Sequence, residues 1–232
     1  CICFLVFIII FCIPLFQLLM WQLSEINISL LDNIKFLLNS LIIGSLVSIF
    51  TVFIAVGLSL SYRGSAKLRF LISVSSSGYA IPGSVVSAGL LIGFYTLFGS
   101  SITLYGIYAL LLCLCFRFMT PAFNYISSSL TNISSSSEHS LSTQPRNYYR
   151  SFLYFYFPQM KPAIFLSVLI VFIESIKEQP ATLLLRPVGF DTLSTKIYNY
   201  TSEGQWEMAA SPSLLLVFLS LIFVYLINKS FD

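Results

Sequence analysis

Only 9% of the 232 residues are charged, 57% are hydrophobic, mean hydropathy is +0.89 and the formal net charge is +3. A soluble domain carries roughly a quarter charged residues, so this chain cannot cover a globule with polar surface and is read as an all-α integral membrane protein. One histidine and dispersed acids leave no candidate zinc or carboxylate-cluster site, and no G-x-x-x-x-G-K-[ST] phosphate loop is present. The basic residues sort by membrane side and do not point to nucleic acid.

A bilayer core about 30 Å thick needs roughly 20 apolar residues per helix. The first such run, 1–23, ends in Met20-Trp21-Gln22, with the tryptophan placed as an interfacial anchor. It is too long for a signal-peptide core and has no basic leader, so it is expected to span. The start at Cys1 points to a chain cut from something longer. A second span is predicted over 34–60, carrying Ser40, Gly44, Ser45, Ser48 and Gly57, small residues that let helices approach closely in lipid. A basic loop around Arg63, Lys67 and Arg69 follows.

Between 70 and 98 the chain is apolar but interrupted by Gly78-Tyr79-Ala80-Ile81-Pro82-Gly83. Proline suits a first helical turn, which puts the third span at about 80–98 and leaves 70–77 at the interface or re-entrant. A single kinked span is the alternative. The fourth span is predicted over 102–119. Residues 121–161 form a long polar loop, serine-rich over 127–142, with Tyr148, Phe152 and Phe155 at helical spacing as in an interfacial amphipathic segment. Cys1, Cys3, Cys12, Cys113 and Cys115 lie inside apolar runs and read as small fillers of membrane helices.

The fifth span, 162–179, leads into the densest charged patch of the chain: Glu174, Lys177, Glu178, Arg186 and Asp191, broken by Pro180, Pro187 and Gly189. Each strongly apolar residue at a helix centre contributes about −0.3 to −0.6 kcal/mol to insertion, against about +2.5 to +3.5 for a charge. Glu174, Lys177 and Glu178 are therefore expected at one mouth of the helix or in a wet cavity. Glu174 and Lys177, three apart, can pair on one face. They are read as part of a translocation mouth with Pro180 and Arg186, or as an interfacial anchor without a role in transport. The sixth span is predicted over 212–228, after an outer loop at 180–211.

Alternation over six spans groups Arg63, Lys67, Arg69, Arg146, Arg150, Lys161 and Lys229 on one side, with Arg117 near it. Lys35, Lys177, Arg186 and Lys196 fall on the other. The positive-inside rule makes the first side, with both termini, cytoplasmic.

Several stretches resemble one family. Lys177-Glu178-Gln179-Pro180-Ala181-Thr182-Leu183-Leu184-Leu185-Arg186-Pro187, followed by Gly189-Phe190-Asp191-Thr192-Leu193, closely resembles a block typical of the membrane subunit of bacterial ferric-iron ABC importers. Pro14-Leu15-Phe16-Gln17-Leu18-Leu19, Asn39-Ser40-Leu41 and Gly78 to Gly83 agree more weakly and in the same order. Permeases of this kind often carry two six-span halves in one chain, and this sequence is similar to the second half.

The resemblance implies that the chain moves iron(III) or a related small solute across the bacterial inner membrane. The expected partners are a periplasmic solute-binding protein, a second permease half and a dimer of ABC ATPase subunits. ATP and magnesium would sit on the ATPases; this chain is expected to carry no cofactor and no enzymatic activity of its own. Phe190, Asp191, Glu203 and Glu207 would face the binding protein, or would simply belong to a solvated loop. The ATPases would engage a coupling segment whose positions here are Glu138, His139, Ser140, Leu141, Pro145, Phe155, Phe157 and Pro158. Its usual Glu-Ala-Ala and following glycine are replaced; Pro145 in place of the glycine removes a positive-φ option and an amide donor. A non-transporting remnant, or a secondary transporter without ATPases, are the alternatives. The second would call for ionisable residues near the middle of spans, which the first four predicted spans lack.

Overall fold

The computed structural model describes residues 2–24, 33–62, 70, 72–74, 77–99, 102–133 and 148–229. Among these residues all regular secondary structure is helical. Helix α1 consists of Ile2–Phe7, a π turn at Ile8–Cys12 and Ile13–Ser24. It is followed by α2 (Ile34–Tyr62), α3 (Gly83–Phe98) and α4 (Ile102–Thr131). Helix α5 runs without a break through Tyr148–Ser151, a π turn at Phe152–Tyr156 and Phe157–Lys177. Two short helices, α6 (Pro180–Leu185) and α7 (Leu193–Ser202), precede the closing α8 (Trp206–Lys229).

Among the described residues five helices are long and apolar enough to cross a membrane, and the bent pair Ile72–Ala80 and Gly83–Leu97, meeting at 116°, makes a sixth if it counts as one span. The bend follows from Pro82, whose ring fixes its own φ and pushes Ile81 into extended backbone (ψ 131°). With 16 residues, α3 is only about 24 Å long and does not cross a bilayer core by itself.

Helices α2, α4 and α5 pack on one another and form the centre of the molecule. On α2 the buried residues Ser40, Gly44, Val47, Ser48, Thr51, Ala55 and Ser59 recur every three or four positions, a stripe of small side chains on one face. A Cβ on Gly44 would stand 2.8 Å from Ile176 Cγ2 and 2.9 Å from Phe172 Cε2, so α5 lies directly on the α2 backbone there. Gly57 has nothing within 4 Å of such an atom and plays no part in this approach. Helix α1 packs chiefly against α8, which stacks Phe223 on Phe172 of α5 at 4.2 Å.

Three helices are longer than the sequence predicts. Helix α4 continues past Met119 and Pro121 to Thr131 through weak helix formers such as Ser127, Ser128 and Ser129, and burial of Ala122, Phe123, Ile126 and Leu130 in the bundle outweighs their propensity. Helix α5 begins at Tyr148, so most of what reads as the end of a polar loop is helix. Helix α8 begins at Trp206, with Pro212 inside it and Ala209 to Pro212 buried. Helices α4 and α5 are each about 45 Å long, some 15 Å more than a bilayer core, and both excesses lie at the end where residues 134–147 connect them.

Candidate functional site

The lengthening of α4 changes the position of Arg117. It is the sixteenth of thirty helical residues and sits in the middle of a candidate span, Gly106–Thr131, instead of near its end. Pro121 follows four residues later and has no N–H to give to the Arg117 carbonyl, so the helix is weakened at this point.

Arg117 forms an ion pair with Glu178, the residue that terminates α5, and both side chains are about seven-eighths buried. Glu178 gathers three helix ends. Its backbone closes α5 (φ −71°, ψ 113°), and its Oε1 accepts from the Ala181 N–H at 3.4 Å in the first turn of α6. The same carboxylate lies against Gly83, the first residue of α3, where a Cβ would collide with it and stand 2.7 Å from the Arg117 guanidinium. Helix N-termini favour negative charge, so two dipoles and one guanidinium face this carboxylate. The Glu178 carbonyl accepts from Thr182 Oγ1 at 2.8 Å and Ser194 Oγ at 3.2 Å, which satisfies backbone freed by the break between α5 and α6.

The break is deep rather than at a mouth. Helix α6 carries the chain onward from the level of Arg117 to that of Gly106, where a Cβ would meet the Leu185 carbonyl at 2.7 Å. Irregular backbone at membrane depth is tolerated only where protein or a wet cavity covers it, and here Arg117, Gly83 and α6 cover it. Of the mouth or wet cavity expected for Glu174, Lys177 and Glu178, the structure shows for Glu178 a buried carboxylate paired with Arg117. The sequence places Arg117 near the cytoplasmic end of the fourth span; the longer α4 puts it well inside the candidate span, so one of the first four spans does carry a central charge. The available signal was an arginine inside an apolar run, facing the need of Glu178 for a cation.

A second polar cluster holds the 186–199 segment. Arg186 pairs with Asp191 and donates to Thr195 Oγ1 at 3.4 Å; burial lowers the guanidinium pKa from its ordinary value, and it remains charged at neutral pH. Gly189, at φ 81°, makes the turn between the two charges. Asp191 also accepts from Thr195 Oγ1 at 3.2 Å and Asn199 Nδ2 at 3.5 Å, while its carbonyl takes Asn39 Nδ2 at 2.8 Å. Thr192 and Thr195 form a reciprocal capping box on α7, and Ser40 Oγ accepts from the Leu193 N–H at 2.9 Å. Asp191 is thus bound to its own chain. Phe190 packs against the core, and Glu203 and Glu207 are exposed at the turn between α7 and α8.

Lys177 and Glu174 pair at 2.9 Å on the outside of α5, with side chains 46% and 32% exposed. Pro180 is exposed, and Val188, 94% exposed, projects from the turn beside Gly189. Phe155, Phe157 and Pro158 belong to α5; Phe155 stands edge-on to Tyr156 at 5.1 Å and packs on the core. Glu138, His139, Ser140, Leu141 and Pro145 lie outside the described residues. Among the described residues no cluster of three or more His, Cys, Asp or Glu is placed to hold a metal.

The stretches that are separate in sequence meet in space. Residues 177–193 rest on Asn39 and Ser40 at one end and on Gly83 and Arg117 at the other. This bundle is the fold of an ABC importer permease. It superimposes with a TM-score of 0.73 on a chain of a bacterial alginate ABC transporter solved in complex with an alginate pentasaccharide-bound periplasmic protein, covering 97% of this chain and 90% of that one at 15% identity.

The sequence relatives are ferric permeases. The chain is 33% identical over 124 residues to the ferric transport system permease protein FbpB of Actinobacillus pleuropneumoniae, 52% of this chain and 18% of that protein. It is 26% identical over 236 residues to the Fe(3+)-transport system permease protein FbpB 2 of Haemophilus influenzae, 97% of this chain and 45% of that one. The chain thus spans less than half the length of the relatives it matches. No family model matches it. The resemblance to ferric-type ABC importer permeases read from residues 177–193 is upheld.

Proposed function

We propose that this chain is a membrane-spanning permease subunit of an ATP-driven importer in a bacterial inner membrane, moving iron(III) or a related small solute handed over by a periplasmic binding protein. The observation that carries this reading is the similarity to an Fe(3+)-transport permease over 97% of the chain. The alginate importer shares the fold at 15% identity, so the choice of iron rests on the ferric relatives. In this reading ATP and magnesium bind separate ATPase subunits, and the chain itself does no covalent chemistry. A second permease half completes the pathway, and the exposed Lys177–Glu174 pair, Pro180 and Val188 belong to the outer vestibule or the binding-protein contact.

Uptake of radioactive ferric iron tests it. Cells that express the chain with its ATPase and binding protein accumulate iron, and deletion of the chain abolishes uptake. Uptake that survives the deletion, or that follows another solute, overturns the substrate. A second reading, a permease that no longer engages an ATPase, rests on Pro145 and its serine-rich surroundings. Co-purification with the ATPase subunit decides between the two.

A further inference from the structure

An apolar groove of about 850 Å³ lies between α2 and α5. One wall is α2 from Ile49 to Ser61, about 18 Å of helix; the other is Phe152, Phe157, Ile164 and Val168 of α5. Its floor lies beside Gly57, where a Cβ would meet nothing within 4 Å. The volume is in the range of ligand sites, roughly 300–1,000 Å³, and the lining is almost wholly hydrocarbon.

The charges around it restrict the occupant. Phe157, Lys161, Ile164 and Val168 are spaced by four, three and four residues, so Lys161 shares the helical stripe that lines the groove, and it is exposed. Arg150 is also exposed, two residues before Phe152 at the same end. An apolar partner helix laid over this stripe would bring no counter-charge to Lys161, whose ammonium would have to reach past it to water. The occupant must bring hydrocarbon to Gly57 and Val168 and a negative charge to Lys161.

We propose that this groove holds an acyl chain of an anionic bilayer phospholipid, with its phosphate set against Lys161 on the Tyr62 side of the membrane. Lys161 stands at the rim, between the lining residues Phe157 and Ile164, and its long stem lets the ammonium reach the headgroup. The site does not depend on which solute the chain transports.

Native mass spectrometry of the delipidated full chain, titrated with phosphatidylglycerol or phosphatidylcholine, tests the site. The expected result is one phosphatidylglycerol retained in preference to phosphatidylcholine. Gly57→Phe, which fills the floor from open space, weakens retention about tenfold or more. Lys161→Gln removes the headgroup preference while leaving the chain able to bind. Val168→Phe, from the other wall, repeats the loss should Gly57→Phe fail to fold. Retention unchanged in both filling variants overturns the site, and so does equal binding of the two lipids by the unaltered chain. A photoreactive side chain introduced at Ile54 is expected to label phospholipid in membranes; labelling of a second permease half instead also overturns it.

Discussion

Glu178 and Arg117 are both placed where a lone charge would be costly. A buried pair contributes little relative to well-packed apolar residues, but removing one partner strands the other and typically costs about 3–5 kcal/mol. Glu178→Gln and Arg117→Met are each expected to lower the midpoint of thermal unfolding in detergent sharply. The double variant Arg117→Met with Glu178→Gln recovers much of the loss, since it leaves no stranded charge. A double variant as unstable as the sum of the singles would show that the two residues act independently. Lys177→Gln, which breaks the exposed pair with Glu174, is expected to change stability by less than about 1 kcal/mol. The sequence made the Glu174–Lys177 pairing legible because it is local, three residues on one helix. The Arg117–Glu178 pair, 61 positions apart by number, depends on how α4 and α5 pack, and no local pattern carries that.

At the scale of elements, the glycines of α2 separate packing from mere tolerance. Gly44 lies under Phe172 and Ile176, whereas Gly57 faces open space. Gly44→Leu drives a side chain into that contact and is expected to destabilise by about 1–3 kcal/mol or more, by overpacking. Gly57→Ala puts a better helix former into a free position and gains about 0.5–1 kcal/mol. Denaturation of the two variants in one detergent checks the opposite signs. At α7, Thr192→Ala removes the side-chain half of the capping box and costs about 1 kcal/mol, with loosening of residues 186–199 visible in hydrogen exchange. Spans and small-residue helix faces were readable from periodicity and length. The ends of α4, α5 and α8 were not, because Pro121, Pro162 and Pro212 read as boundaries, and all three lie inside helices whose neighbours bury the flanking turns. The block 177–193 was recognisable as a pattern, and the structure gives its reasons: a helix break, a cap, an ion pair across a glycine turn, and the docking of α7 on Asn39 and Ser40.

The whole molecule has a direction that its charges imply and its helices make testable. Helix α8 is about 36 Å long and apolar between its ends, so Gln205 and Lys229 must stand on opposite sides of a bilayer that it crosses. The long ends of α4 and α5 project on the side where the sequence clusters Arg146 and Arg150, and the Tyr62 end of α2 reaches the same level through the edge-on contact of Tyr62 with Phe123 at 5.6 Å. Arg63, Lys67 and Arg69 follow Tyr62 directly in the sequence, so the basic residues gather at one end of the bundle. By the positive-inside rule that end is expected in the cytoplasm, and the Gln205 turn, with Glu203 and Glu207, is then expected in the periplasm. A cysteine placed at Gln205 is therefore expected to react with a membrane-impermeant maleimide on intact inner-membrane-exposed cells, and one at Lys229 only after permeabilisation. The native Cys113 is buried and stays silent in both conditions, and Cys3 and Cys12 lie along an apolar helix that the reagent does not reach. The opposite labelling pattern would invert the molecule and, with it, place the 134–147 connection on the side away from any cytoplasmic ATPase.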